Sequence, residues 1–218
     1  DFEDIVSALN HVSELNGSLK KIAISTPSII TAKELQQVNE DVCRNIIYLN
    51  THCFPFLFSI FSNVYDIKAF SHRFPSLTMI KIRIDDFRLI SPHLATFSHL
   101  TYLEVSDIII DSRIYGYKDL QMKTSKQSES IRHLKIKRRV RFFRPYEDLS
   151  LQSLLNVMPR LQEVKIYVDL DDCNDEKYII ANLPDYLLLM KKQCTELNYI
   201  EYQIDSEDGK SFSGYINI

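Results

Sequence analysis

The chain has 218 residues, of which 45% are hydrophobic and 25% are charged, and its net charge is −3. This composition supports a sizeable buried core, and the small net charge excludes a global electrostatic attraction to nucleic acid or to a membrane. Only four glycines are present, which argues against a hairpin-rich sandwich and against a glycine-rich phosphate loop.

Three features of the sequence bear on the cellular compartment of the protein and on its relation to a longer chain. Cys43, Cys53, Cys173 and Cys194 form no C-x-x-C pair, so we expect reduced, mostly buried thiols in a cytoplasmic or nuclear protein. The longest apolar run, residues 54–61, is shorter than the roughly 18 residues that a membrane span needs, and we expect no membrane partner. Because the chain begins at Asp1, we expect a fragment of a longer protein with a further domain upstream.

A strand motif recurs along the chain: an apolar residue, two variable residues, an apolar residue, one variable residue and a third apolar residue. Its copies predict strands near residues 19–24, 46–51, 77–84, 100–105, 131–136, 161–168 and 197–204. The alternation in each copy indicates a short strand with one buried face. Because one such unit cannot bury its own apolar side, successive units are expected to stack.

Apolar residues at helical spacing separate these strands. The spacing is clear over residues 2–9, 151–158 and 183–190, and weaker over 35–42 and 56–70. One strand and one helix per unit predicts a parallel sheet with the helices on its other side. The polar segment 115–130 interrupts this order and is predicted to be a flexible excursion.

Four units enter their strand through a similar corner, in which an apolar or Cys residue lies three positions before the first apolar residue of the motif. The corners are Phe74–Leu77, Phe97–Leu100, Met158–Leu161 and Cys194–Leu197. Four similar corners indicate genuine repeats and not chance alternation.

The motif resembles that of the leucine-rich repeat family in its longer strand–helix form, over about residues 19–204. The resemblance implies one α/β solenoid over residues 1–218, with a curved parallel sheet on the concave face and helices on the convex face. The family's Asn or Cys at the ninth motif position is replaced by Asp85, Asp169 and Asp205 in three units, and by Ile108, Arg139 and Pro27 in others. An Asp side chain can also accept hydrogen bonds from turn amides, but the departure predicts an irregular arc.

Motifs that would indicate catalysis or metal binding are incomplete. Gly209-Lys210-Ser211 lacks the upstream Gly of a phosphate loop, and the acidic run 169–176 lacks the Gly and the Glu of a calcium loop. The six histidines show no zinc-ligand spacing. We therefore expect no catalytic residue, no metal site, no cofactor and no enzymatic activity.

Seven cations lie within residues 132–144, and this basic run is the most unusual feature of the sequence. In the repeat interpretation, several of them share the concave face with cations and tyrosines of other strands. The residues predicted to bind a partner there are Lys81, Arg83, Tyr102, Arg132, Lys135, Lys137, Arg138, Lys165, Tyr167 and Tyr199. Arg and Tyr are typical of interaction hot spots, although a charged strand face can also serve solubility alone.

The resulting hypothesis is a non-catalytic solenoid that recognises a protein, with an acidic or phosphorylated segment as a suitable ligand for the basic band. The irregular, Ile-rich repeats resemble the substrate-receptor arms of F-box proteins in ubiquitin ligases. That resemblance implies substrate capture, with a ligase adaptor bound through the upstream domain. The alternative is a nucleic-acid- or chromatin-associated scaffold that uses the same basic band.

Overall fold

The computed structural model describes residues 7–8, 10–11, 21–23, 37–50, 70–83, 90–109, 127–140, 155–170, 188, 190–206 and 209–217, some of them by backbone alone. Most of the segments predicted as helices, residues 115–126 of the predicted excursion, and Asp85, Cys53 and Cys173 lie outside the described residues. Among the described residues, no helix has the length and apolarity needed to cross a membrane.

Eight strands form one open sheet whose strand order follows the chain. They are β1 (Lys21–Ala23), β2 (Tyr48–Asn50), β3 (Met79–Arg83), β4 (Tyr102–Ile109), β5 (His133–Val140), β6 (Glu163–Leu170), β7 (Tyr199–Ser206) and β8 (Ser211–Asn217). Strands β1 to β7 are parallel, and β8 pairs with β7 in the antiparallel direction. The expected α/β class with a mostly parallel sheet is therefore confirmed.

The central apolar residues of the seven motif copies lie in one register. In chain order they are Ile22, Leu49, Ile80, Leu103, Leu134, Val164 and Ile200, each the Cα partner of the next. From Leu49 to Ile200 all of these side chains are buried. Stacking like residues in one row lets each strand cover the apolar side of its neighbour.

Helical segments pack on the side of the sheet that carries these rows. Helix α1 (Glu40–Asn45) begins after Asn39, whose side-chain oxygen accepts from the Asp41 amide at 2.8 Å, as an N-cap does. A 3-10 helix covers Ser91–Thr96, and residues 70–73, 155–156 and 190–193 are also helical. Their buried side chains, among them Val42, Phe70, Leu94, Leu155 and Met190, belong to one apolar cluster with the strand rows.

The predicted corners are real turns. In all four, the amide of the first motif residue donates to the carbonyl three positions earlier, as Leu77 does to Phe74 at 3.2 Å and Leu197 does to Cys194 at 3.0 Å. The same bond joins Ile46 to Cys43, a fifth corner that the sequence analysis missed because the motif of that unit is weak. Cys194 is fully buried in the apolar cluster and is therefore a packing residue, and the same burial raises the pKa of its thiol to about 11.

One carbonyl row ties each unit to the next just before the strands begin. The carbonyl oxygens of Ile47, Thr78, Thr101, Arg132 and Gln162 each accept two amide bonds from the following unit, at 2.8 to 3.2 Å. This row satisfies backbone groups between successive turns of the described units.

Strand β8 was not predicted. A hairpin signal was present in Asp208-Gly209, since Gly209 has a φ of 78° that suits glycine. Farther along, a Cβ added to Gly214 would overlap the Tyr202 hydroxyl and lie 2.7 Å from the ring carbon Cζ. The ring of Tyr202 thus lies over Gly214 and requires a residue without a side chain there.

Candidate binding face on the open side of the sheet

Alternate strand positions point away from the core and form what we call the open face. Within β5 to β7 these positions are half-buried or exposed, while their neighbours in the strand are mostly buried. The open-face side chains include Lys81, Tyr102, Glu104, His133, Lys135, Lys137, Glu163, Lys165, Tyr167, Tyr199, Glu201 and Tyr215. From β4 to β8 the face spans four strand spacings, or about 19 Å.

Seven of the ten residues predicted to bind a partner have side chains on this face: Lys81, Tyr102, Lys135, Lys137, Lys165, Tyr167 and Tyr199. Arg132 instead precedes β5, where its guanidinium donates to the backbone carbonyls of Glu129 at 2.7 Å and Ile131 at 3.3 Å. Arg83 and Arg138 occupy backbone positions in β3 and β5, and their side chains lie outside the described part of the chain.

Carboxylates are interleaved with the predicted cations. Lys165 lies between two of them, 3.1 Å from Glu163 and 3.0 Å from Glu201, and these hydrogen bonds raise the pKa of the Lys165 ammonium above its usual range. His133 makes a 2.8 Å contact with the other oxygen of Glu163. The face is therefore a mosaic of both charges, where the sequence analysis expected a positive band.

Glu104 is the most enclosed of these carboxylates, with only 8% of its side chain exposed. It lies 3.3 Å from the Lys81 ammonium and 3.7 Å from that of Lys137. The register of β4 shifts between Val105 and Ile108, which places two β4 residues opposite Lys137. Such a bulge turns the strand locally, and here it lies beside the point where Lys137 approaches Glu104.

Tyrosines and lysines alternate across the centre of the face. The Tyr102 and His133 rings stack with their centroids 6.3 Å apart. Lys135 lies 4.9 Å from the centre of the Tyr167 ring, and Tyr167 donates to Glu201 at 3.0 Å. Among the described residues no carboxylate lies within ion-pair distance of Lys135, and its ammonium interacts with a ring face instead.

The aromatic row continues to the last strand. Lys165 lies 5.8 Å from the centre of the Tyr199 ring, and Tyr199 stacks with Tyr215 at 6.3 Å. Tyr215, on β8, is 69% exposed. Sequence reasoning missed this residue because β8 itself was missed.

Burial and neighbouring groups shift the pKa of two side chains on this face. Burial raises the pKa of the Tyr102 hydroxyl to about 12, and the neighbouring Glu104 carboxylate acts in the same direction. Burial alone would raise the pKa of Glu163, but hydrogen bonds from Lys165 and His133 outweigh it and hold that pKa below its usual value. Glu163 is therefore a charged acceptor at neutral pH.

Sequence reasoning missed Glu104, Glu163 and Glu201, although a signal for them existed. All three occupy the same alternating positions as the predicted cations, and Glu104 and Glu201 share one register row with Lys81, Lys135 and Lys165. Applying the motif to acidic residues as well as basic ones would have found them.

Comparison with protein-family models, with curated protein sequences and with solved structures finds no match to this chain. Within the described ranges, no three His, Cys, Asp or Glu side chains are grouped as a metal ion would require.

Proposed function

We propose that the chain is an irregular leucine-rich-repeat-like solenoid whose open face recognises a protein partner without catalysing a reaction. The observation that carries the proposal is the gathering of tyrosines and lysines from successive strands on one side of the sheet. Tyr102, Lys135, Tyr167 and Tyr199 come from four strands and lie within one aromatic and charged mosaic. Tyrosine supplies a large contact area at low entropic cost, which is typical of protein-binding surfaces.

The charge pattern favours a protein over nucleic acid. Binding to a phosphate backbone relies on unpaired cations that can release counterions. Here Lys165 is held between Glu163 and Glu201, and Glu104 lies close to both Lys81 and Lys137. A partner that presents both signs of charge fits such a mosaic better than a polyanion does.

Lys135 is the position at which an acidic or phosphorylated group of the partner would dock. Its ammonium lies over the Tyr167 ring, and no carboxylate of the described residues pairs with it. A carboxylate or phosphate could therefore bind Lys135 without breaking an existing ion pair. We further propose that this arm captures substrates for a ubiquitin ligase through an F-box-type adaptor domain elsewhere in the protein, as the motif resemblance implies.

The experiment compares the wild-type chain with the double variant Lys135→Ala/Tyr167→Ala. Proteins captured by the immobilised wild type are identified by mass spectrometry, and the affinity of each purified candidate is measured by calorimetry. We expect the double variant to bind a true partner at least about tenfold more weakly, because a central aromatic and its cation are lost together. Arg44→Ala, on the exposed face of helix α1 away from the sheet, serves as the matched control and should bind normally.

Equal affinity of wild type and double variant for every captured partner would contradict the proposal. The alternative is tested in parallel with a labelled DNA duplex and a labelled RNA hairpin. Binding that falls steeply as salt rises from about 50 to 200 mM would favour a nucleic-acid scaffold instead. Capture of a ligase adaptor by the full-length protein, and not by this arm alone, is the result expected for the ubiquitin ligase proposal.

A further inference from the structure

Strand β8 ends the strand order of the sheet, and among the described residues no further strand pairs with its outer side. It has few of the sequence features that usually protect such an edge against pairing. It is seven residues long, contains no charged residue and no proline, and has no buried position. Phe212 and Tyr215 are among the most exposed large hydrophobic side chains of the described residues, at 38% and 69%. Natural edge strands are usually short, charged or interrupted by proline, because an unprotected edge recruits another strand. The opposite edge strand, β1, has three residues.

We propose that β8 pairs with β8 of a second copy of this chain, antiparallel and centred on Gly214. In that register Phe212 lies opposite Ile216 of the second copy, and Ser213 lies opposite its Tyr215. Because the pairing is two-fold symmetric, each of these contacts forms twice. A continuous sheet of two chains results.

The two sides of β8 fit this arrangement. Phe212 and Ile216 pair with Ile204 and Ile200 of β7, so their side of the strand continues the buried rows of the core. Gly214 lies between them beneath the Tyr202 ring, and two glycines at the symmetry axis leave room for that ring in both copies. Ser211, Ser213, Tyr215 and Asn217 lie on the other side, where no like charges would meet.

A second copy is favoured because the register centred on Gly214 places Phe212 opposite Ile216 twice, and because β8 carries no charged residue that would repel its copy. A pairing of seven residues buries little area, so a weak dimer in the micromolar range is expected. The proposal is independent of partner binding by the open face, and its test does not require the partner.

The test is sedimentation equilibrium of the 218-residue chain from about 5 to 500 µM, a range suited to weak interfaces. The mass-average should rise from 25.6 kDa toward twice that value as the concentration increases. A mass that stays at 25.6 kDa throughout would overturn the proposal.

Two variants that differ at one position make the test specific. In Ser213→Lys/Tyr215→Lys, cations lie directly opposite each other across the axis, and the dimer should weaken by at least about tenfold. In Ser213→Glu/Tyr215→Lys, opposite charges meet in the same two places, and dimerisation should return to near the wild-type value. Both positions are exposed, so both variants should fold, which circular dichroism checks. Dimerisation retained by both variants, or lost by both, would overturn pairing about Gly214.

Discussion

At the residue scale, the open face depends on a few shared carboxylates. Glu201 accepts from Tyr167 at 3.0 Å and from Tyr199 at 3.4 Å, and it lies 3.0 Å from the Lys165 ammonium. Lys165 in turn reaches Glu163, which contacts His133. One carboxylate therefore fixes the side chains of two tyrosines and a lysine, and this orders the surface before any partner binds. Preordering of this kind lowers the entropic cost of recognition.

The pH dependence of stability tests this network. Hydrogen bonds from Lys165 and Tyr167 hold the pKa of Glu201 below its ordinary value of 4.5. A carboxyl whose pKa is lowered in the folded state stabilises the protein above the unfolded value and loses that contribution as pH falls through the folded value. Glu201→Gln should therefore lower the free energy of unfolding at pH 7 by less than about 1 kcal/mol, since the network is partly exposed.

The difference between wild type and Glu201→Gln should shrink as the pH falls from 7 to 3, because the Glu201 carboxylate takes up a proton as the pH falls through its lowered pKa. Urea unfolding, followed by circular dichroism at pH 7 and at pH 3, measures this difference in the free energy of unfolding. Taking the difference removes the acid destabilisation that the two proteins share. A gap that is the same at pH 7 and pH 3 would contradict the assigned role of Glu201.

At the scale of the element, the corner before each strand is the recurring structural unit. The corner residue is buried at 4% exposure or less in Cys43, Phe74, Phe97, Met158 and Cys194. Each corner carbonyl accepts from the first residue of the following motif. The side chain fills the space between units while the backbone turns, so the same position tolerates an aromatic, Met or Cys of suitable size.

Phe97→Ala tests how much a corner residue contributes to the stability of the fold. Phe97 is 4% exposed and packs edge-on against Phe70, whose ring centroid is 6.2 Å away. We expect a loss of about 3–5 kcal/mol in the free energy of unfolding, because a large cavity opens between two units. Ser98→Ala, an exposed position in the same turn, should change stability by less than about 0.5 kcal/mol. Equal effects of the two substitutions in chemical denaturation would show that the corner is not a packing unit.

The elements also show which parts of the structure could be predicted. The parallel strands were predictable because the copies of the motif, such as Leu100 to Val105, repeat a similar alternation, and four of them also share the corner. Strand β8 was not, because it follows no motif and only Asp208-Gly209 marks the turn before it. The bulge after Val105 was not predictable either, since it arises from pairing with β5 and leaves no mark in the sequence of β4.

At the scale of the whole molecule, the register between strands places residues from successive copies of the motif side by side on one surface. A shift of one residue in any strand would send its open-face side chains into the core, so the buried rows enforce the arrangement of the exposed ones. This is why seven predicted residues from strands β3 to β7 come together although they lie between positions 81 and 199. The mixed charge of the surface was not predictable from the basic run alone, because Glu104, Glu163 and Glu201 come from three different units.

The most direct test of the account is a distance series along one register row. Spin labels attached through a ketone-bearing amino acid, which spares the native cysteines, are placed in pairs: Tyr48 with Tyr102, Tyr48 with Glu163, and Tyr48 with Tyr199. The three pairs are separated by two, four and five strand spacings. Their backbone separations should be about 10, 19 and 24 Å at 4.8 Å per strand. Distances from electron paramagnetic resonance that increase in this order would support one stack of parallel strands; distances that do not follow strand number would contradict the stack and the binding face built on it.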